Sequence, residues 1–353
     1  MRDEFINDLT EGMVIAKALY TSDGVLIAPA GVTLTDPIIR HLEALDVVVV
    51  TVEDELKDPK EEQQRVTKEK ILKFQKEYTE VKTKVNDAFD KVLRDKADPE
   101  QLRQIIDDSW KICESSPNSY ETIGMLSSMQ EYSDATYIHS LNVGIIASLI
   151  GKWLGWSEEE QRRLHTCGVF HDIVKIQIPS DVLNKPGRLS PTEYEIMKCH
   201  TSFGHNLIHK LELEPCVINA TLMHHERCDG TGYPNRIKRD QIDKYSRIIA
   251  IADVYEAMTA NRVYRTSMCP FDVLEIIEKD GFRHFDPEYL SVFMQNIVDS
   301  YLHSKVLLSN GEEGEIIFIN RQKLTKPLII TETGKLVDLA KETDIKIEKV
   351  INM

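Results

Sequence analysis

GVFHDIVKIQIP, residues 168–179, sets a histidine and an aspartate side by side at the end of an apolar run. Adjacent residues on a helix point about 100° apart, so His171 and Asp172 can grip one ion together or reach two. A carboxylate in such apolar company is costly unless a cation or good hydrogen bonds meet it. Lys175, three residues beyond Asp172, lies about one turn on, where it can hold a phosphate oxygen. The plainer alternative is a capping aspartate beside a structural histidine.

Four more segments share this character. TYIHSLNVGIIASLI (136–150) is apolar around most of a helix and carries His139, which alone would read as a hydrogen-bonded core residue. NKPGRLSPTEYEIMKCHTSFGH (184–205) carries His200. In MHHERCDGTGYP (223–234), His224 and His225 end an apolar helix and run into a loop whose Gly230, Gly232 and Pro234 suit tight turns. RIIAIADVYEAM (247–258) sets Asp253 in an apolar helical run, where an ionised carboxylate needs a partner.

Eight of the 11 histidines fall within 139–225. The five imidazoles of His139, His171, His200, His224 and His225, with the carboxylates of Asp172 and Asp253, form an N/O set without thiolate. Such a set suits iron, manganese, nickel or zinc better than calcium or magnesium. Seven ligands exceed what one tetrahedral ion needs. They fit two divalent ions sharing a bridging carboxylate and a bridging water, an arrangement suited to in-line displacement at phosphorus. His205 and His209, one turn apart, read as surface or supporting residues, and Cys199 and Cys228 as buried inert thiols.

Composition narrows the classes. The chain is 42% apolar and 29% charged, ordinary for a globular protein. A net charge of −15 argues against DNA as a partner, since counterion release needs a basic face. An anionic substrate would need local attraction from ions or from Lys185, Arg188, Arg236, Lys238 and Arg239, each singly an ordinary surface charge. No stretch approaches 18 uninterrupted apolar residues, so no membrane span is expected. The first residues, MRDEFINDLTEG, do not read as a signal peptide. Six scattered cysteines (113, 167, 199, 216, 228, 269) suggest reduced thiols and a cytoplasmic setting.

The expected fold is mainly α, a helical-bundle catalytic domain at 117–303 between small β-containing modules. Residues 1–56 read as an α/β accessory module. MVIAKALY and VLIAPAG flank the turn Ser22-Asp23-Gly24, a helix opens at Thr35-Asp36-Pro37, and VVVVTV follows. Residues 57–116 form a charged helical linker whose Phe74, Tyr78, Val81, Val85, Phe89 and Val92 make a narrow apolar seam, interrupted at Asp98-Pro99. That seam suits a homodimerising or signal-transmitting stalk, or a helix packed on its own catalytic domain. The tail 304–353 reads as a β module, with KVLLSN, GEIIFIN, PLIIT and IKIEKVI punctuated by Asn310-Gly311 and Thr333-Gly334.

Over residues 119–303 these motifs resemble the HD-GYP family, bacterial phosphodiesterases in the HD metal-dependent phosphohydrolase superfamily. HDIVK fits the family's HDxxK, HHERCDGTGYP its HHExxDGxGYP, and DVYEAMTANRVYR the segment bearing the last aspartate. The resemblance implies a helical bundle that hydrolyses cyclic di-GMP to linear pGpG and often on to GMP. It makes His139, His171, Asp172, His200, His224, His225 and Asp253 the metal ligands, with Asp172 bridging. Lys175 and Arg262 would contact the substrate phosphate, with Lys185 and Arg188 nearby, and Tyr233 would shape the loop and the substrate wall.

Some positions depart from the pattern. Ala135 stands where members with a third ion carry a glutamate, so two ions are expected. Val263 and Thr201 replace prolines, as tolerated loop variants. Glu256 occupies a position where some members place a substrate-contacting lysine, which would weaken affinity for the dinucleotide.

Overall fold

The computed structural model describes all residues except 22–25, 46, 53–58, 95–98, 116–118, 129–135, 212, 262–266 and 353. The chain divides into two compact units, Met1–Ile71 and Leu72–Met353.

The first unit is built on short strands and one helix. Strand β1 (Arg2–Phe5) pairs antiparallel with β4 (Val49–Val52), and β2 (Leu19–Tyr20) with β3 (Leu26–Ala28). The expected hairpin is thus present as its strands, while its turn at 22–24 lies outside the described residues. Helix α1 (Asp36–Ala44) starts at Thr35-Asp36-Pro37, with proline in the first turn where its missing N–H is harmless. Ile15, Leu34, Leu42, Val50 and Val52 form its fully buried core. The charged, largely exposed β1 carries no strand signal in sequence.

The second unit is helical. It comprises the part of α2 (Pro59–Leu93) from Leu72 onward, α3 (Pro99–Ser115), α4 (Ser119–Ser128), α5 (Thr136–Trp153), α6 (Glu158–Phe170) and the short α7 (Ser180–Leu183). After these come α8 (Pro191–His209), α9 (Pro215–Met223), α10 (Lys244–Thr259), α11 (Pro270–His284) and α12 (Pro287–Asp299). All six seam residues of α2 are buried. Phe89 packs on Phe170 of α6, and the Tyr78 hydroxyl donates to Asn142 of α5. Of the two uses read from the sequence, the seam is turned onto its own unit.

Two glycine crossings place the site. A Cβ on Gly168 of α6 would sit 2.4 Å from the Cα of Gly144 of α5, so these helices meet backbone to backbone. A Cβ on Gly204 of α8 would sit 2.5 Å from a methyl of Thr221 of α9. The first crossing brings His139 near His171, and the second brings His200 near His224.

The tail is a five-stranded antiparallel sheet in the order β8-β7-β6-β5-β9, formed by β5 (Lys305–Leu308), β6 (Glu313–Phe318), β7 (Leu328–Thr331), β8 (Leu336–Asp338) and β9 (Ile347–Asn352). Gly311 and Gly334 turn between strands with φ of 83° and 81°. Lys326 reaches Glu275 and Lys346 reaches Asp272, tying the sheet to α11. No helix among the described residues is long and apolar enough to cross a membrane.

Candidate metal centre

His139 lies in the first turns of α5, His171 caps the C-terminus of α6, and His200 sits mid-way along α8. His224 caps α9 with His225 beside it, and Asp253 lies in α10. These residues and Asp172 converge as two adjoining groups. Asp172, His200, His224 and His225 form one; His139, His171 and Asp253 form the other; within each, the ligand atoms lie within 4.8 Å of one another. Asp172 also links the groups, its Oδ2 standing 3.5 Å from His139 Nε2 and its Oδ1 3.3 Å from His200 Nε2.

The rings are held from behind. Nδ1 of His171 donates to the Gly168 carbonyl at 2.7 Å, that of His200 to Met197 at 2.6 Å, and that of His224 to Ala220 at 2.9 Å. Each helix thereby fixes its own imidazole with Nε2 facing inward, the tautomer a metal ligand requires. His139 is held differently, its Nδ1 meeting the Glu256 carboxylate.

Donor chemistry fits a divalent cation. The Nε2 atoms of His139 and His171 and the Oδ1 of Asp172 are buried without a hydrogen-bond partner, a costly condition for polar atoms. With its proton on Nδ1, His139 turns a lone pair toward Asp253 Oδ1 at 3.1 Å and Asp172 Oδ2 at 3.5 Å. A lone pair facing carboxylate oxygens needs a proton or a cation between them.

Electrostatics agree. Burial lowers His171, brings His200 down to about 4 and, with His224 adjoining, takes His225 well below the usual imidazole value. Asp172 and Asp253 lie well below the carboxylate range. Burial opposes their charge, but Lys175 and His171 outweigh it at Asp172, as His139 and His225 do at Asp253. His139 is raised well above its ordinary value, burial being outweighed by Glu256, Asp172 and Asp253. Neutral imidazoles and ionised carboxylates are the forms that bind metal.

The other expected residues are placed less uniformly. Lys175 lies at the edge of the cluster, its Nζ 2.6 Å from Asp172 Oδ2. Tyr233 packs tilted against the ring of His225, centroids 4.7 Å apart, and contacts Tyr194, forming one wall. Lys185 is engaged with Glu193, the residue that closes the capping box of α8 with Ser190. Arg188 is exposed. Arg262, Ala135 and Val263 lie outside the described residues. Two expectations are corrected. Cys199 is exposed, because the helix face it occupies looks away from the core. Glu256, at the position where some members place a substrate contact, is 3% exposed and lies behind His139, since three residues after Asp253 the helix presents it to α5.

Sequence reading also passed over Glu226 and Asp229. Buried Glu226 accepts the backbone N–H groups of Asn235 at 2.6 Å and Ile237 at 3.2 Å, which pins the loop carrying Tyr233. Asp229 accepts from the Thr231 amide and hydroxyl and from Arg283. Their place in HHERCDGTGYP was the available signal. Lys198, 5.2 Å over the Tyr194 ring, was also missed.

Fold and site together define a helical protein with a buried histidine–aspartate cluster suited to metal. The HD domain family model matches residues 103–289, more than half of the 353-residue chain. The chain belongs to the HD domain family, and its motifs resemble those of the HD-GYP branch. Cyclic di-GMP phosphodiesterase PA4108 of Pseudomonas aeruginosa is 30% identical over 215 residues, 60% of this chain and 51% of that protein. The 3′3′-cGAMP-specific phosphodiesterase 1 of Vibrio cholerae is 35% identical over 170 residues, 48% of this chain and 39% of that protein. The chain thus spans about half the length, or less, of these curated relatives. Among solved structures, Bd1817, an HDG"Y"P protein from Bdellovibrio bacteriovorus, superposes with a TM-score of 0.55 at 12% identity. That match covers 84% of this chain and 99% of that one, and is a likeness of fold.

Proposed function

We propose that this chain is a metal-dependent phosphodiesterase that hydrolyses cyclic di-GMP to pGpG. The observation that carries the reading is the convergence of His139, His171, Asp172, His200, His224, His225 and Asp253 into two adjoining groups. The relative in P. aeruginosa supports the substrate. The groups suit two divalent ions, iron or manganese first and nickel or zinc next. When bound, such ions lower the pKa of water and neutralise charge developing on phosphorus.

The chain's own residues do the rest. The Nδ1 bonds keep four of the five imidazoles aimed inward, so much of the ligand geometry is set before ions or substrate arrive. Lys175, held at the cluster edge by Asp172, offers its ammonium to a non-bridging phosphate oxygen. Tyr233 and Tyr194 wall the approach and limit water around the reacting phosphate. In the reaction a water oxygen bonds to phosphorus, the P–O3′ bond breaks, and the 3′ oxygen leaves with a proton. Arg262 is proposed as a second phosphate contact, and Lys185 and Arg188 as outer ones, Lys185 once it exchanges Glu193 for substrate. We place the protein in the cytoplasm.

The V. cholerae relative favours one second reading, cyclic GMP-AMP as substrate. A receptor with little turnover loses part of its basis, because Glu256 is buried behind His139. A homodimer through residues 57–116 likewise draws no support from a seam buried within its own unit.

Anaerobic purification with elemental analysis, followed by parallel turnover of cyclic di-GMP, 3′3′-cyclic GMP-AMP and simple nucleoside phosphates under iron and manganese, tests these readings. The expected result is bound metal and fastest turnover of cyclic di-GMP. Asp172→Ala, which removes the link between the groups, is expected to abolish turnover and lower bound metal. Full activity in that variant would end the proposal.

A further inference from the structure

Four of the cluster's imidazoles have an Nδ1 partner behind the ring, and three of these partners are carbonyls of the ring's own helix. The fourth, at His139, is the carboxylate of Glu256, from another helix and 117 positions away in sequence. Helix α10 presents two carboxylates one turn apart to this single ring, with Asp253 at Nε2 and Glu256 at Nδ1. Glu256 is itself held, its Oε1 accepting from the Asn142 amide at 2.9 Å. The Asn142 carbonyl oxygen accepts from the Tyr78 hydroxyl of α2 at 2.6 Å. Tyr78 at 2%, Asn142 at 6% and Glu256 at 3% exposure place a polar chain inside an otherwise apolar helix packing. Such a chain is costly unless every member is satisfied, and the bonds just named run unbroken from α2 to the ring.

We propose that Glu256, backed by Asn142 and Tyr78, is the positioning residue for His139, holding Nδ1–H toward the carboxylate so that Nε2 is presented to metal. This rests on the metal-centre reading of the cluster and adds to it a residue for which the sequence suggested a different role. A carboxylate behind a ligating imidazole fixes its orientation and makes it a stronger donor, and losing such a partner costs metal affinity about 10- to 100-fold. The plain structural alternative is that Glu256 only ties α10 to α5.

The test is Mn2+ binding to the full chain, followed by the electron paramagnetic resonance signal of free Mn2+, alongside the thermal midpoint of the metal-free protein. Glu256→Gln keeps the volume and an acceptor oxygen but not the charge. It is expected to weaken Mn2+ binding about 10-fold with little change in the metal-free midpoint. Glu256→Ala is expected to approach 100-fold. Tyr78→Phe, at the far end of the chain, is expected to weaken binding in the same direction by about 3-fold, and it carries the test if Glu256→Ala does not fold. Wild-type Mn2+ affinity in folded Glu256→Gln and Tyr78→Phe would overturn the proposal and leave the metal centre standing. Failure of the wild-type chain to bind Mn2+ would overturn both.

Discussion

At the scale of single residues, the centre is a problem in where protons reside. His139 is raised above its usual value, burial being outweighed by the carboxylates that face both of its nitrogens, which favours a proton on Nε2 of the metal-free ring. A cation arriving at Nε2 must displace that proton. Metal loading is therefore expected to release protons, with apparent affinity rising as pH rises. Calorimetry of Mn2+ binding in buffers of different ionisation enthalpy reads this directly, and a heat independent of buffer would contradict it.

At the scale of elements, α5 and α6 cross backbone against backbone. Gly168→Ala would drive a methyl into the backbone of Gly144, against atoms that cannot rotate away. The expected cost is about 1–3 kcal/mol, read from the urea midpoint at constant m-value.

A second joint is electrostatic. Asp108 of α3 takes hydrogen bonds from Lys84 of α2 and from Lys111 and Gln104 of its own helix. Burial works against its charge, but these donors hold its pKa at about 2. A carboxyl lower in the folded than in the unfolded chain stabilises above the unfolded value, and that contribution is lost as pH falls through the folded one. Between about pH 4 and pH 2 the wild type should therefore lose stability more steeply than Asp108→Asn. At neutral pH the variant should be less stable by about 1 kcal/mol. Parallel urea titrations across that range check both.

Legibility also divides at this scale. Helices and tail strands were readable where a local signal repeated, as in the α2 seam or the β-branched runs closed by Asn-Gly and Thr-Gly. Strand β1, RDEF, was not, because its order comes from pairing with Val49–Val52 and not from any apolar pattern. The seven cluster residues stood out as histidines and carboxylates set in apolar helices. Glu256 stood in the same kind of helix, yet its role depends on a ring distant in sequence. The partner of Lys185 was not legible either, because Glu193 reaches it from the capping box of α8, eight positions on.

At the scale of the whole molecule, ligands from five helix segments meet at one point, so binding there is coupled to the folding of most of the second unit. A cation that binds only the folded chain stabilises it by mass action, about 2.7 kcal/mol at a hundredfold excess over the dissociation constant. For a unit of this size that corresponds to a rise in thermal midpoint of about 5–10 °C on adding Mn2+, reversed by a chelator. Differential scanning calorimetry with and without Mn2+ measures it, and an unchanged midpoint would speak against a centre shared among these helices.

The two glycine crossings are unequal, and the inequality bears on how such a centre could drift over generations. Where Gly144 meets Gly168, main chain touches main chain and no substituent can be exchanged. Where Gly204 meets Thr221, a methyl fills the gap and can be enlarged or trimmed. The cluster therefore behaves as a vice with one fixed jaw, carrying His139 and His171, and one adjustable jaw, carrying His200, His224 and His225. Accommodation of a larger or smaller cation would be written into the residues lining the second.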